Sequence, residues 1–140
     1  DNSIVETDHF LNSVLNWLSA QENKAQPAMI YVADHGESLG ENNIYLHGLP
    51  YSIAPDVQKH VPWITWLSPA MQSRNGTTTP CLQKELAEQR ITHDNYFHSV
   101  LGLMDVQTGA YKPELDMFAG CKKNATLAGA PNKGAASHRS

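Results

Sequence analysis

The sequence predicts an α/β fold, and three observations carry that prediction. Residues 4–18 repeat Leu11, Val14, Leu15 and Leu18 at helical spacing, which gives one apolar face. The run Ala28 to Ala33, with Ile30 and Val32, is short and continuously apolar, as buried strands are. A second run, Val61 to Leu67, reads VPWITWL and fits another strand. A helix followed by a buried strand is half of an α/β layer pattern.

The elements follow in order. Ser3 and Glu6 fit a capping box at the start of the first helix. Gln21 to Pro27 is a polar connector. Residues 34–60 are rich in glycine and proline with little periodicity, so they predict a long loop with at most one short helical turn. Loops of that length inside a compact domain are usually functional. Pro62 places itself at the beginning of its strand or on an edge. Residues 71–80 read as loop, and 82–90 as a short polar helix. Thr92 to Met104 predicts an amphipathic helix with Phe97, Val100, Leu101 and Met104 on one face and Asp94 near the cap. After Cys121 the composition shifts to Ala, Gly, Asn, Lys and Ser, so residues 122–140 are expected to be a disordered tail. No internal repeat is visible.

Composition narrows the function classes. A chain of 140 residues suits one domain, and 41% hydrophobic with 17% charged residues describes an ordinary globular piece. The net charge of −4 and scattered Lys and Arg argue against nucleic acid, which wants a clustered basic surface. No run reaches the roughly 18 apolar residues of a membrane helix. No charged-then-apolar segment opens the chain, so no signal peptide is expected. The first residues read as the middle of something longer, so the chain is expected to be a fragment or an excised domain. Cys81 and Cys121 are far apart and form no CxxC motif. Composition alone leaves them as either two buried thiols or one disulfide.

The stretch YVADHGESLGENNIYLHGLP, residues 31–50, carries the chemistry. Ligands of α/β sheets bind outside the carboxyl ends of strands, and Asp34-His35 stands where the apolar run ends. Gly36 permits a sharp turn that would aim both side chains at one point. A carboxylate oxygen with an imidazole nitrogen is a normal part of a zinc or manganese shell. The plain alternative is a turn with His35 exposed beside it. His47 shifts the balance, because a loop that leaves a strand and returns can bring it to the same pocket. Two ligands and a possible third leave the shell incomplete, so further ligands must come from elsewhere.

Ser38 and Glu41 fit the S-x-x-E capping box, which suits them better than catalysis. Glu37 is free of that role and lies beside the candidate metal site. Ser38 is a poor nucleophile, because GESLG lacks the strand-to-helix elbow of G-x-S-x-G. His60, His93 and His98 read as surface or helix residues, and the sequons at Asn75 and Asn124 as chance matches.

DHGESLGENNIYLHGLP, followed by APD, QKHVP and a Trp-rich strand, closely resembles the lipid A phosphoethanolamine transferases of the polymyxin-resistance type. These belong to the alkaline phosphatase and sulfatase superfamily. The resemblance extends back to DNSIVETD and forward to CLQK and HDNYFHSVLGLMDV, so it covers roughly residues 1–121. The usual Gly after E-N is Asn43 here, a residue that also tolerates positive φ.

The resemblance implies an α/β sandwich of mixed sheet flanked by helices, residues 1–121 being the C-terminal portion of its catalytic domain. It implies a catalytic domain in the periplasm, anchored in the bacterial inner membrane by an N-terminal helical bundle. It implies that Asp34 and His35 bind the catalytic zinc. His47 then lies near metal and phosphate as a proton donor or acceptor, and Glu37 meets the donor headgroup. The donor would be phosphatidylethanolamine and the acceptor a lipid A phosphate, with resistance to cationic peptides as the consequence. The threonine nucleophile and a further zinc-binding Glu would lie upstream. A periplasmic setting also favours a Cys81–Cys121 disulfide. The alternatives are a sulfatase or phosphoglycerol transferase of the same superfamily, or a non-catalytic metal-binding fragment.

Overall fold

The computed structural model describes residues 2–122, and the expected tail beyond Lys122 lies outside them. The order is α1 (Asn2–Ser19), β1 (Ala28–Val32), β2 (Ser38–Leu39), β3 (Tyr45–Leu46), α2 (Asp56–Lys59), β4 (Trp63–Leu67), α3 (Pro69–Asn75), α4 (Thr79–Ala87) and α5 (Asp94–Leu103). Short 3-10 turns span Glu41–Asn43 and Pro113–Leu115. The α/β class is as expected. The chain divides into two compact units, split after Ser68.

In the first unit β1 and β4 pair antiparallel, with Ala28 opposite Leu67 and Val32 opposite Trp63. The pair runs one bond further, because Ala33 N–H donates to the Pro62 carbonyl at 3.3 Å. Pro62 lacks a donor and so stands just before its strand, as expected. Leu11, Val14, Leu15 and Leu18 form the half-buried face of α1, while Phe10 and Trp17 are exposed. The capping box expected at Ser3 is not formed: helix α1 already includes Asn2, and the Ser3 carbonyl accepts from the Thr7 hydroxyl inside it.

The segment expected to be one loop, 34–60, holds more order than that. Strands β2 and β3 pair antiparallel, with Ser38 opposite Leu46 and Leu39 opposite Tyr45. Asn42 and Asn43 take positive φ in the connecting turn, a conformation that Asn tolerates better than most residues. The capping box read at Ser38 and Glu41 is corrected here. Ser38 is buried in a strand, and Glu41 Oε2 accepts from Leu39 N–H at 2.8 Å across the turn.

In the second unit, helix α3 replaces the loop expected over 71–80, starting at Pro69, whose missing N–H costs nothing at a first helical position. Thr78 caps α4 by accepting from Cys81 N–H. The Cys81–Cys121 disulfide ties α4 to the last described turn, and Cys121 is buried. Phe118, Met117, Leu103 and Met71 are buried in this unit's core. The face of α5 differs from expectation: Asn95, His98, Ser99, Gly102 and Leu103 are buried, while Phe97 and Met104 are exposed. His98, expected at the surface, accepts the Lys112 amide at Nδ1 at 3.1 Å. Asn75 is likewise buried, donating to the Leu103 carbonyl at 3.2 Å, so its sequon is not presented to solvent.

Candidate active site

Strand β1 delivers the chain to Asp34 one residue beyond Ala33. The Asp34 Oδ1 accepts the backbone N–H of His35 at 3.0 Å. That bond, and then the nearby His35 ring, holds the exposed Asp34 carboxyl below the usual carboxylate range. The other oxygen, Oδ2, lies 3.7 Å from His35 Nε2.

The His35 ring is oriented from its other side. Its Nδ1 lies 2.9 Å from the Gly36 carbonyl oxygen, which can only accept, so Nδ1 carries a hydrogen. In the neutral ring Nε2 then presents a lone pair toward Asp34. A lone pair facing a carboxylate is an arrangement that a cation can bridge. The backbone carbonyl on the distal nitrogen is also how metal-ligating imidazoles are commonly fixed. Asp34 and His35 therefore fit two positions of a divalent-cation shell. Among the described residues no group of three or more His, Cys, Asp and Glu side chains is placed to hold a metal ion, so any further ligands come from elsewhere.

His47 returns to the same place. Strand β3 ends at Leu46, whose φ of 66° lies in the left-handed region that β-preferring side chains avoid. The next residue, His47, stacks on His35 with ring centroids 3.9 Å apart and planes inclined by 28°. Its Nδ1 lies 3.2 Å from Glu37 Oε1, an ion pair if the ring is protonated and a donated hydrogen bond if it is neutral. Either way Nε2 of His47 stays free of that contact. All four residues singled out in the sequence, Asp34, His35, Glu37 and His47, thus gather on one loop cluster. His60 and His93 are exposed elsewhere.

One participant was not visible in sequence. Gln58 is buried on α2 and donates from Nε2 to Ser38 Oγ at 2.8 Å and to the Leu46 carbonyl at 3.2 Å. Its backbone carbonyl accepts the Gly36 N–H at 3.0 Å. A lone Gln in a polar helical turn gives no signal of such a role.

Comparison with known proteins finds relatives of the chain. The chain matches the Sulfatase family over residues 1–106. It is 44% identical over 123 residues to the phosphoethanolamine transferase EptA of Salmonella typhimurium, a stretch that is 88% of this chain and 22% of that protein. Against the phosphatidylethanolamine transferase Mcr-2 of Escherichia coli it is 40% identical over 112 residues, 80% of this chain and 19% of the other. The crystal structure of the soluble domain of lipooligosaccharide phosphoethanolamine transferase A from Neisseria meningitidis matches with a TM-score of 0.80 at 41% identity, covering 86% of this chain and 36% of that one. The chain thus spans about a fifth of the length of these curated relatives.

Proposed function

The chain belongs to the sulfatase family, and from that premise we propose that it is part of a phosphoethanolamine transferase that modifies lipid A. The observation that carries the reading is the pair Asp34 Oδ2 and His35 Nε2, 3.7 Å apart with the His47 ring stacked alongside. Similarity to the transferases EptA and Mcr-2 supports the reaction class. The proposed cofactor is zinc, held in part by Asp34 and His35. The donor is phosphatidylethanolamine, and the acceptor is a lipid A phosphate. The catalytic domain works in the periplasm, anchored in the bacterial inner membrane. Resistance to cationic peptides follows because the transferred ammonium offsets negative charge on the lipid surface.

When bound, zinc would lower the pKa of an attacking hydroxyl and polarise the phosphoryl oxygens. The residues of this chain do the rest of what falls to them. Asp34 supplies negative charge at the metal position. The Gly36 carbonyl holds His35 so that Nε2 faces inward. His47 exposes Nε2 beside that position and takes or returns a proton at the transferred group, as an imidazole can. Glu37 holds His47 Nδ1 and offers its second oxygen to a cationic headgroup. Leu39 and Tyr45, cross-strand neighbours that are 79% and 67% exposed, add apolar surface near the cluster that suits a lipid substrate.

The test is to incubate the intact protein with a fluorescent phosphatidylethanolamine and lipid A, with and without a zinc chelator. Zinc-dependent release of diacylglycerol with mass gain on lipid A is expected. Turnover of an aryl sulfate in place of the phospholipid would overturn the reading in favour of a sulfatase.

A further inference from the structure

The hydrogen bonds of Gln58 run to neighbours of the four chemical groups in the loop cluster. Gln58 bonds to each segment that carries them. Its backbone carbonyl takes the Gly36 N–H, directly after His35, a bond that any residue at this position can make. One side-chain N–H reaches Ser38 Oγ, directly after Glu37, and the other reaches the Leu46 carbonyl, directly before His47. Gln58 and Ser38 are 7% and 2% exposed, so the bond between them is shielded from competing water, while the bond to Leu46 is partly buried.

The Leu46 contact matters most. Leu46 sits at φ 66°, a conformation that costs free energy for a γ-branched residue and persists only where its surroundings enforce it. The amide of Gln58 grips the carbonyl of that same residue. Without the grip the peptide relaxes toward the extended region, and the rotation is passed to the next residue. His47 would then leave both the His35 ring and the Glu37 carboxylate.

We propose that Gln58 is a positioning residue. By tying Ser38 to Leu46 it sets the approach of Glu37 to His47 and the stacking of His47 on His35. The proposal rests on the transferase reading for its kinetic consequence, though not for its structural one. A substitution at Gln58 acts on turnover through His47 and leaves the Asp34–His35 pair in place.

A double-mutant cycle on the intact protein tests this, with turnover normalised to bound zinc. Gln58→Met keeps the size and removes the donors. It is expected to lower kcat about ten- to a hundredfold with a much smaller change in KM, as misplacement near 1 Å does. In a His47→Ala background the same substitution should cost less than about twofold, because the group it positions is gone. Equal losses in both backgrounds would make Gln58 a merely structural residue and overturn the proposal. Ser38→Ala, which removes one acceptor only, provides a milder variant should Gln58→Met fold poorly, and should show the same dependence on His47. Hydrogen exchange supplies a readout independent of activity: Gln58→Met should deprotect the peptide covering residues 36–47 and not α1. Unchanged protection there would sink the inference even if the wild-type protein transferred no phosphoethanolamine, whereas an inactive wild type with faster exchange would sink only the transferase reading.

Discussion

The imidazole rings of His35 and His47 lie 3.9 Å apart, although they stand twelve positions apart in the sequence. The stack divides labour between two similar side chains. His35 turns its Nε2 to the Asp34 carboxylate, and His47 is held by Glu37.

From that division, Asp34→Ala or His35→Ala in the intact protein is expected to abolish transfer and to lower zinc content together. His47→Ala should cut turnover by roughly 10²–10⁴, the usual worth of an acid or base, while metal content falls much less. Parallel metal analysis and kinetics on the three variants check this. An equal loss of metal and turnover in His47→Ala would make His47 a ligand rather than a proton carrier.

How much of this was legible varies with the physics of each element. The half-buried face of α1 and the β1 and β4 runs were legible because their burial is apolar, and periodicity reports apolar burial. The inner face of α5 was not, because it buries Asn95, His98 and Ser99, whose hydrogen bonds to distant backbone satisfy them. The gathering of Asp34, His35, Glu37 and His47 in one loop cluster was legible because glycines punctuate that stretch. The ordering of residues 37–46 was not, because two-residue strands carry no period. Nor was Gln58, whose side chain bonds to two partners far along the chain, Ser38 and Leu46.

Asp105 gives a pH prediction. The Lys122 hydrogen bond above all, with Arg74 adding to it, holds the Asp105 carboxyl below its usual range. A depressed native pKa contributes stability that is full above the unfolded value and lost as pH falls through the native one. The Asp105 side chain is half exposed, so the contribution stays under about 1 kcal/mol. Asp105→Asn should therefore lower the urea midpoint slightly at neutral pH, and the difference should fade as pH falls through the depressed native pKa. A difference that grew in acid would contradict the assignment.

The Cys81–Cys121 bridge closes a loop with a sequence separation of 40 residues. In the chain-entropy model such a loop is worth about 4 kcal/mol, so replacing both cysteines by alanine should shift denaturation by roughly that amount. Denaturant titration without reductant checks it. A shift under about 1 kcal/mol would show that the unfolded chain gains little freedom from losing the bridge.

Gly102 lies inside α5, where alanine would ordinarily gain about 1 kcal/mol of helix propensity. A Cβ there would overlap Asp116 Oδ2. That carboxylate is buried, accepting Tyr111 O–H at 2.6 Å and Phe118 N–H at 2.8 Å. Overpacking costs about 1–3 kcal/mol, and displacing Asp116 weakens two further bonds. Gly102→Ala is thus expected to lower the melting temperature, and a rise would show that the turn holding Asp116 yields without cost.

Gly36 is the residue on which the proposed metal site and the fold meet. A Cβ on it would overlap the Val57 carbonyl oxygen, a backbone atom that cannot step aside as a side chain would. The neighbouring Gln58 carbonyl accepts the Gly36 N–H, so moving Gly36 away loses that bond as well. The Gly36 carbonyl in turn orients His35 through Nδ1. The shift therefore propagates to the ring that faces Asp34, and its first effect should be on metal affinity. Gly36→Ala is expected to lower zinc content by 10- to 100-fold in affinity, as loss of an outer partner to a ligating histidine does. Transfer should fall with it, and excess zinc should restore part of the activity. This distinguishes Gly36→Ala from His47→Ala, which added zinc should not rescue. Zinc affinity unchanged in Gly36→Ala would mean that the Gly36 carbonyl does not hold His35, and the orientation argued for its Nε2 would fall with it.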